Sequence, residues 1–458
     1  MYNSQDLVTA LKDQILEFNL DDNLEIKNVV IDSRTKVENG LFIAIIGENN
    51  DGHDYLTSAK KNGCEVLLIS NKDKLPKDTN YIVVKDSFSA LYALAKFSRQ
   101  RSNAKIIALT GSVGKTSVKE LLKLTFAKYG KTYASPGNLN NHFGVPLSLC
   151  NFDKESEFGI FEIGMNHANE IEPLSKLLEP DVAIITNVGP VHIEFFENEE
   201  EIALAKSEIF LGLKKEGIGI LNMDNSHYDF LQKKFYDLGF EKLVTFGENP
   251  KATYVLDNYK IHDINSSQVE LKNFDKNISY NISSTKKVNI FNSIIAVAAL
   301  DSLTKETNVD FSNFSEVAGR GKALTKNIDG KNILIIDDSY NASLPSIIEG
   351  LKYCLEIKNS LNKTRVVVAI GDMLELGSKS ERLHAQIANS INELKIDFSI
   401  LVGKEMTKTS QKLTANSFKT YPDSALARKD IKNLLQDGDI LYVKGSRGMK
   451  MEEIINNL

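Results

Sequence analysis

The chain has 458 residues, 42% hydrophobic and 25% charged, which suits about three ordinary globular domains. Nine prolines and 27 glycines exclude a collagen-like or low-complexity chain. Fifty-five basic against 61 acidic side chains leave a net charge of −6, so no basic excess points to nucleic acid or an anionic membrane.

The N-terminal stretch carries Asp6, Asp13 and Glu17 where a signal peptide would need an apolar core. No apolar run approaches the roughly 18 residues of a membrane span. Cys64, Cys150 and Cys354 are far apart and lack the spacing of a metal site or a disulfide framework. A cytoplasmic protein without membrane insertion is expected.

Short apolar runs alternate with segments of helical period, the pattern of an α/β protein with mostly parallel sheets. In chain order the strands expected are Val66–Ile69, Tyr81–Val84, Ile106–Leu109, Ile160–Ile163, Val182–Thr186, Ile218–Leu221, Ile333–Asp337, Val366–Ile370, Ser399–Val402 and Ile440–Val443. The helices expected between them are Phe88–Ser98, Thr116–Phe126, Glu200–Leu211, Ser346–Leu355 and Ser380–Ile391. Residues 250–285 alternate in short runs rich in Asn and Ser, as an antiparallel hairpin would. Polar stretches at 99–103 and 307–315 divide the chain into domains at 1–103, 104–313 and 314–458.

The expected strand at 105–109 runs into Thr110-Gly-Ser-Val-Gly-Lys-Thr-Ser117 and then into a helical pattern. A glycine-rich turn there lets backbone N–H groups converge on phosphate oxygens, with the positive end of the helix dipole behind them. Gly111, Ser112, Val113, Gly114, Lys115, Thr116 and Ser117 form the candidate phosphate cradle. Lys115 supplies a point charge and Thr116 a hydroxyl for Mg²⁺. The first glycine of the general pattern GxxxxGK[ST] would fall at Leu109; it stands instead at Gly111, so the loop is a variant. This loop alone leaves a kinase, a GTPase and an ATP-driven ligase open.

Glu162 ends an expected strand, where a carboxylate points into the crevice used by α/β proteins for ligands, and with Thr116 it could complete a hard-oxygen Mg²⁺ site. His192 follows another strand at the crevice edge. Lys206 lies in a helical pattern whose neighbours three and four residues away are Ile202, Ala203, Ile209 and Phe210. On spacing alone, that lysine lays its stem along an apolar face and keeps its head in water.

Taken together these residues resemble those of the Mur ligase family along nearly the whole chain, and most nearly the branch that joins D-alanyl-D-alanine to UDP-N-acetylmuramoyl-tripeptide. Asp32-Ser33-Arg34 and the segment 42–54 are similar to the part that grips the uridine nucleotide end. Gly137-Asn138-Leu139-Asn140-Asn141, with Gly144-Val-Pro146, resembles the loop that contacts the muramoyl peptide through Asn138 and Asn141. Glu162-Ile-Gly-Met-Asn-His167 matches the magnesium segment. By the resemblance Lys206 is carbamylated and helps hold a second Mg²⁺, with His192 as its partner, which reverses the reading from spacing.

Asn289-Ile-Phe-Asn292 is similar to a helix start whose asparagine, Asn292, meets the adenine; the usual histidine-rich lead-in is replaced by Val288-Asn-Ile-Phe291. Gly319-Arg320 resembles the family's nucleotide-sensing arginine. In Asp337-Asp338-Ser-Tyr340-Asn341-Ala342, Asp338 would reach the ATP ribose, and Tyr340 and Asn341 the incoming amine. The proline after it is displaced to Pro345. Gly371-Asp-Met-Leu-Glu-Leu-Gly377 with His384, and Val443-Lys-Gly-Ser-Arg-Gly-Met449, match the C-terminal part of this branch.

The fold implied has an N-terminal UDP-binding α/β domain, a central P-loop parallel-sheet ATPase domain and a C-terminal Rossmann-like domain. The chemistry implied is ATP-dependent amide synthesis: a carboxylate takes the γ-phosphoryl group of ATP, and the amine displaces phosphate from the acyl phosphate. Lys115, Glu162, His192, Lys206 and Arg320 would supply or organise the positive charge this needs. The chain is expected to act as a monomer. A sibling ligase that adds a single amino acid, and a nucleotide-binding module without ligase chemistry, are the competing readings.

Overall fold

The structure, a computed structural model, describes residues 2–190, 195–263, 265–274, 276–315, 319, 321–360, 363–414 and 417–458. It is α/β throughout and is organised around three main sheets. The first has five strands in the order Ile15–Asn19, Asn80–Val84, Cys64–Ile69, Gly40–Ile43, Asn28–Val30; only its first pair is antiparallel.

The second sheet has nine strands. Four expected strands, from Lys105–Thr110 to Ile218–Asn222, lie in it with Thr132–Ala134 and Lys242–Gly247 in parallel register. Ile106, Ile107, Ala108 and Leu109 are all buried, because helices cover both faces of a central parallel strand. Tyr254–Asp263, Ser266–Asn273 and Lys276–Ile282 extend the sheet as an antiparallel meander, the hairpin region expected at 250–285. The helix Lys287–Thr304 crosses behind it, and Ile294 to Leu300 are buried without interruption, so this helix is apolar all round.

The third sheet orders Lys322–Ile328, Lys331–Asp338, Ile440–Lys444, Val366–Gly371, Phe398–Val402 and Ser417–Tyr421, parallel after its first pair. Two apolar clusters cover its two faces. The first two sheets, by contrast, share one continuous cluster that joins Leu7, Leu91 and Leu94 to Val145, Phe152 and Ile163. Tyr2 stitches that joint: its hydroxyl donates to Cys150 O at 2.8 Å and lies 2.6 Å from Ser98 Oγ. Phe314 still packs into the core of the second sheet, beside Phe311.

One expected element differs. The helix read over Glu200–Leu211 is α-helical only over Glu199–Ser207 and tightens to a 3₁₀ turn over Glu208–Gly212. Glu208 accounts for the change of course: its carboxylate accepts the backbone N–H groups of Asn169, Ile171 and Glu172, and so caps the helix Ile171–Leu178. Burial raises the pKa of that carboxyl above its ordinary value.

Candidate active site

The phosphate loop leaves the C-terminal end of the strand Lys105–Thr110, between the strands Val182–Ile185 and Phe158–Glu162. That is the crevice where an open parallel sheet receives ligands. Gly114 takes a left-handed conformation (φ 86°) just before the helix Lys115–Phe126, and a Cβ there would lie 2.8 Å from Asn292 Oδ1. At Gly111 a Cβ would meet Thr186 Oγ1 at 2.0 Å. Thr186 Oγ1 donates to Val113 O at 2.6 Å, and Ser112 Oγ donates to Gly189 O at 2.9 Å, so the neighbouring strand end holds the loop. Lys115 folds back to donate to Gly111 O at 2.6 Å. The first-turn N–H groups of the helix, Ser117 included, start from this loop.

Glu162 is buried and its two oxygens are separately engaged. Oε2 accepts from Thr116 Oγ1 at 3.0 Å, and Oε1 accepts from Asn140 Nδ2 at 2.8 Å. Thr116 and Glu162 thus stand side by side, while the sequence reading passed over Asn140 in favour of its neighbours. Asn138 does line the cleft. Asn141 instead turns its side-chain oxygen to the backbone N–H of Gly144 at 2.8 Å, where it supports the start of the helix Gly144–Cys150. Only side-chain direction separates these residues, and spacing in a loop does not encode it.

Lys206 corrects the reading from spacing. Its head is not in water: the residue is 3% exposed, and burial, with Lys115 as a second and like-charged influence, holds its pKa well below the ordinary lysine value. Its helical neighbours Ile202, Ala203, Ile209 and Phe210 are themselves fully buried, so the whole face on which the lysine stands lies inside the protein. His192 and Arg320 lie outside the described residues.

A cleft of about 1040 Å³ separates the second sheet from the third. Ser112, Val113, Gly114 and Lys115 reach it from one side with Glu162 and Asn292; Asp338, Tyr340, Asn341 and Lys444 reach it from the other. Asn292 Nδ2 is buried without a hydrogen-bond partner among the described residues, a donor that an adenine base could satisfy. Thr116 and Glu162 present adjacent oxygens, the donor chemistry Mg²⁺ requires. Phosphate loop, orphan donor and oxygen pair together fit Mg²⁺ and ATP.

On the far side, Asp338 Oδ2 accepts from Lys444 Nζ at 2.6 Å and from Tyr442 OH at 3.0 Å, and Lys444 also donates to Asn341 O at 3.0 Å. Arg447 is 5.5 Å from the Tyr340 ring centroid and pairs with Glu452 at 3.1 Å. The two C-terminal motifs brace one another. Ser446 Oγ accepts from Leu374 N, Asp372 accepts the N–H groups of Glu405 and Met406, and His384 Nε2 accepts from Met373 N while Nδ1 donates to Ser380 O. His384 is therefore a fully buried strut for the cleft rim rather than a group facing it.

Ser33 and Arg34 lie in the turn that follows the strand Asn28–Val30 of the first sheet and do not line this cleft. Ser33 is buried with its carbonyl taken by Asn62 Nδ2, whereas Arg34 is 86% exposed in its side chain and pairs with Asp32 at 2.7 Å. The Arg34 guanidinium lowers the Asp32 carboxyl to a pKa of about 2.

Three family models match the chain: Mur ligase family, catalytic domain, over residues 25–99; Mur ligase middle domain, over 109–300; and Mur ligase, glutamate ligase domain, over 319–447. The UDP-N-acetylmuramoyl-tripeptide–D-alanyl-D-alanine ligase of Rickettsia prowazekii is 34% identical, with 100% of this chain and 99% of that protein aligned. The enzyme of the same name from Haemophilus influenzae is 32% identical, over 99% of this chain and 98% of its own. Among solved structures, MurF from Acinetobacter baumannii superposes with a TM-score of 0.84 at 28% identity, covering 100% of this chain and 98% of its own. MurF ligase from Thermotoga maritima, solved in complex with ADP, shares the fold with a TM-score of 0.80 at 24% identity, covering 95% of this chain and 98% of its own.

Proposed function

The chain belongs to the Mur ligase family, and from that membership we propose that it joins D-alanyl-D-alanine to UDP-N-acetylmuramoyl-tripeptide at the expense of ATP, forming the UDP-muramoyl-pentapeptide precursor of peptidoglycan. The observation that carries the reading is one cleft onto which the phosphate loop and the Asp338–Asn341 turn both open. Three substrates must meet there: a nucleotide, a carboxylate and an amine.

The division of labour follows the three domains, 1–103, 104–313 and 314–458. Ser33 and Arg34 serve the uridine end. Gly111 to Ser117 cradle the phosphates of ATP, Asn292 takes the adenine, and Asp338 takes the ribose. Asn138 and Asn141 belong to the loop that receives the muramoyl peptide; Tyr340 and Asn341 receive the amine. The tripeptide carboxylate attacks the γ-phosphorus as ADP leaves, giving the acyl phosphate; the amine then attacks the acyl carbon, losing a proton as phosphate leaves.

Two anions meet in the first step, so the residues act mainly by neutralising and aligning charge. Lys115, whose amine donates to Gly111 O on the loop, would offer its charge to the phosphate oxygens. Thr116 and Glu162 would hold one Mg²⁺; carbamylated Lys206, with His192, would hold a second. Mg²⁺ bound at these oxygens would act as a Lewis acid on the phosphate groups. Arg320 would add charge once the C-terminal domain closes, and closure would keep water from the acyl phosphate. We place the enzyme in the cytoplasm as a monomer; among the described residues no helix is long and apolar enough to cross a membrane.

The test is phosphate release from Mg²⁺-ATP with UDP-N-acetylmuramoyl-tripeptide, with and without D-alanyl-D-alanine, followed by mass spectrometry of the nucleotide product. Dipeptide-dependent release with a pentapeptide product is expected. Release only with a single amino acid would move the chain to a sibling activity.

A further inference from the structure

Lys119 lies one turn beyond Lys115 on the helix Lys115–Phe126, three residues after Thr116, and its side chain is 0% exposed. A lysine so enclosed is rare, because an amine head buried without partners is costly. Its Nζ donates to Gly137 O at 2.5 Å and stands 3.8 Å from Glu162 Oε2, with Glu120 Oε1 at 4.0 Å.

Gly137 opens the loop that runs to Asn141, in a left-handed conformation (φ 53°). The other end of the loop is tied to the same carboxylate: Asn140 Nδ2 donates to Glu162 Oε1 at 2.8 Å, while Asn140 O accepts from Gly164 N at 2.7 Å. Glu162 thus anchors the loop at both ends, through Lys119 on one side and Asn140 on the other. Asn138, between the anchors, is exposed and lines the cleft.

We propose that Lys119 is a positioning residue for the peptide substrate: its buried amine clamps the Gly137–Asn140 loop to Glu162, so that the loop is set before the muramoyl peptide arrives. The clamp holds because moving the loop would strip the buried amine of its carbonyl partner. The inference rests on the substrate proposed above, since it concerns the part of that substrate beyond the sugar.

The experiment is calorimetric titration of the full chain, without nucleotide or Mg²⁺, with UDP-N-acetylmuramoyl-tripeptide and separately with UDP-N-acetylmuramic acid, which lacks the peptide. Lys119→Met keeps the stem and removes the amine; Asn140→Ala cuts the opposite tie at a partly exposed position. Both variants are expected to bind the tripeptide substrate about tenfold more weakly, as loss of a preset loop requires, and to bind UDP-N-acetylmuramic acid as the unmodified protein does. In steady state the KM for the tripeptide substrate rises while that for ATP stays within about twofold.

Unchanged tripeptide binding in both variants overturns the proposal, as does an equal loss for both ligands, which is what general loosening of the fold produces. If Lys119→Met fails to fold, Asn140→Ala decides on the same two titrations. Failure of the unmodified protein to bind the tripeptide substrate at all would instead sink the function on which the inference rests.

Discussion

A primary amine enclosed as Lys206 is, with Lys115 as a like-charged influence, is disfavoured as an ammonium. The neutral amine is the form that adds carbon dioxide to give a carbamate and release a proton. The fold therefore favours the form from which a carbamate, the oxygen donor of the proposed second metal site, would be made. Lys206→Ala is expected to cut turnover about 100-fold or more, as loss of a metal ligand does, and short carboxylic acids such as formate or acetate should restore part of it. A labelled carbamate carbon seen by NMR after exchange with ¹³C-bicarbonate would give the same answer without turnover. A folded Lys206→Ala protein that no carboxylic acid rescues argues against the carbamate. Helical spacing could name the neighbours of Lys206, but only the assembled core shows that the lysine is buried together with Ile209 and Phe210. The same holds at Asn140 and Asn141, where one step along a loop turns a side chain from Glu162 to a helix N-terminus.

Elements buried on both faces were the most legible ones. Ile106–Leu109 and Val366–Ile370 are unbroken apolar runs because helices cover each side, and they stand where the sequence places them. The edge strand Ile15–Asn19 gave no such signal: Leu16 and Phe18 are exposed there, so neither a clean alternation nor a continuous run marks it. The seven-residue helix Gly144–Cys150 is wholly buried and carries a proline in its first turn, too short to show a period. The phosphate loop was readable for the opposite reason, since its glycines answer to backbone geometry rather than to packing. Gly114→Ala tests this at the level of the element. An alanine held at φ 86° costs about 1–2 kcal/mol, and its Cβ would press on Asn292 Oδ1. Weaker ATP binding in a titration, with UDP-N-acetylmuramic acid binding intact, is the expected result.

At the scale of the molecule, the first two sheets share a core while the third has its own, so the cleft is bounded by one rigid pair and one separately packed domain. Motion that closes the cleft should be carried by the third sheet, with the Asp338–Lys444 pair moving as a block. Small-angle scattering should then show the radius of gyration falling when Mg²⁺-ATP and UDP-N-acetylmuramoyl-tripeptide are added together, and chelation of Mg²⁺ should reverse the change. Scattering curves that superpose in all conditions would mean that the described arrangement already is the working one.

The three cysteines have a use that follows from where the fold hides them. Cys64 lies in a strand of the first sheet, Cys150 in the helix packed at the joint between the first two sheets, and Cys354 in the helix Leu344–Ser360 beside the third. Burial pushes the Cys64 thiol up to about 11 and raises the other two further, so none is a ready nucleophile while the chain is folded. With no tryptophan to follow by fluorescence, nature has left one silent chemical reporter in each part. Brief alkylation along a denaturant series, read by peptide mass, would give the order in which the parts open.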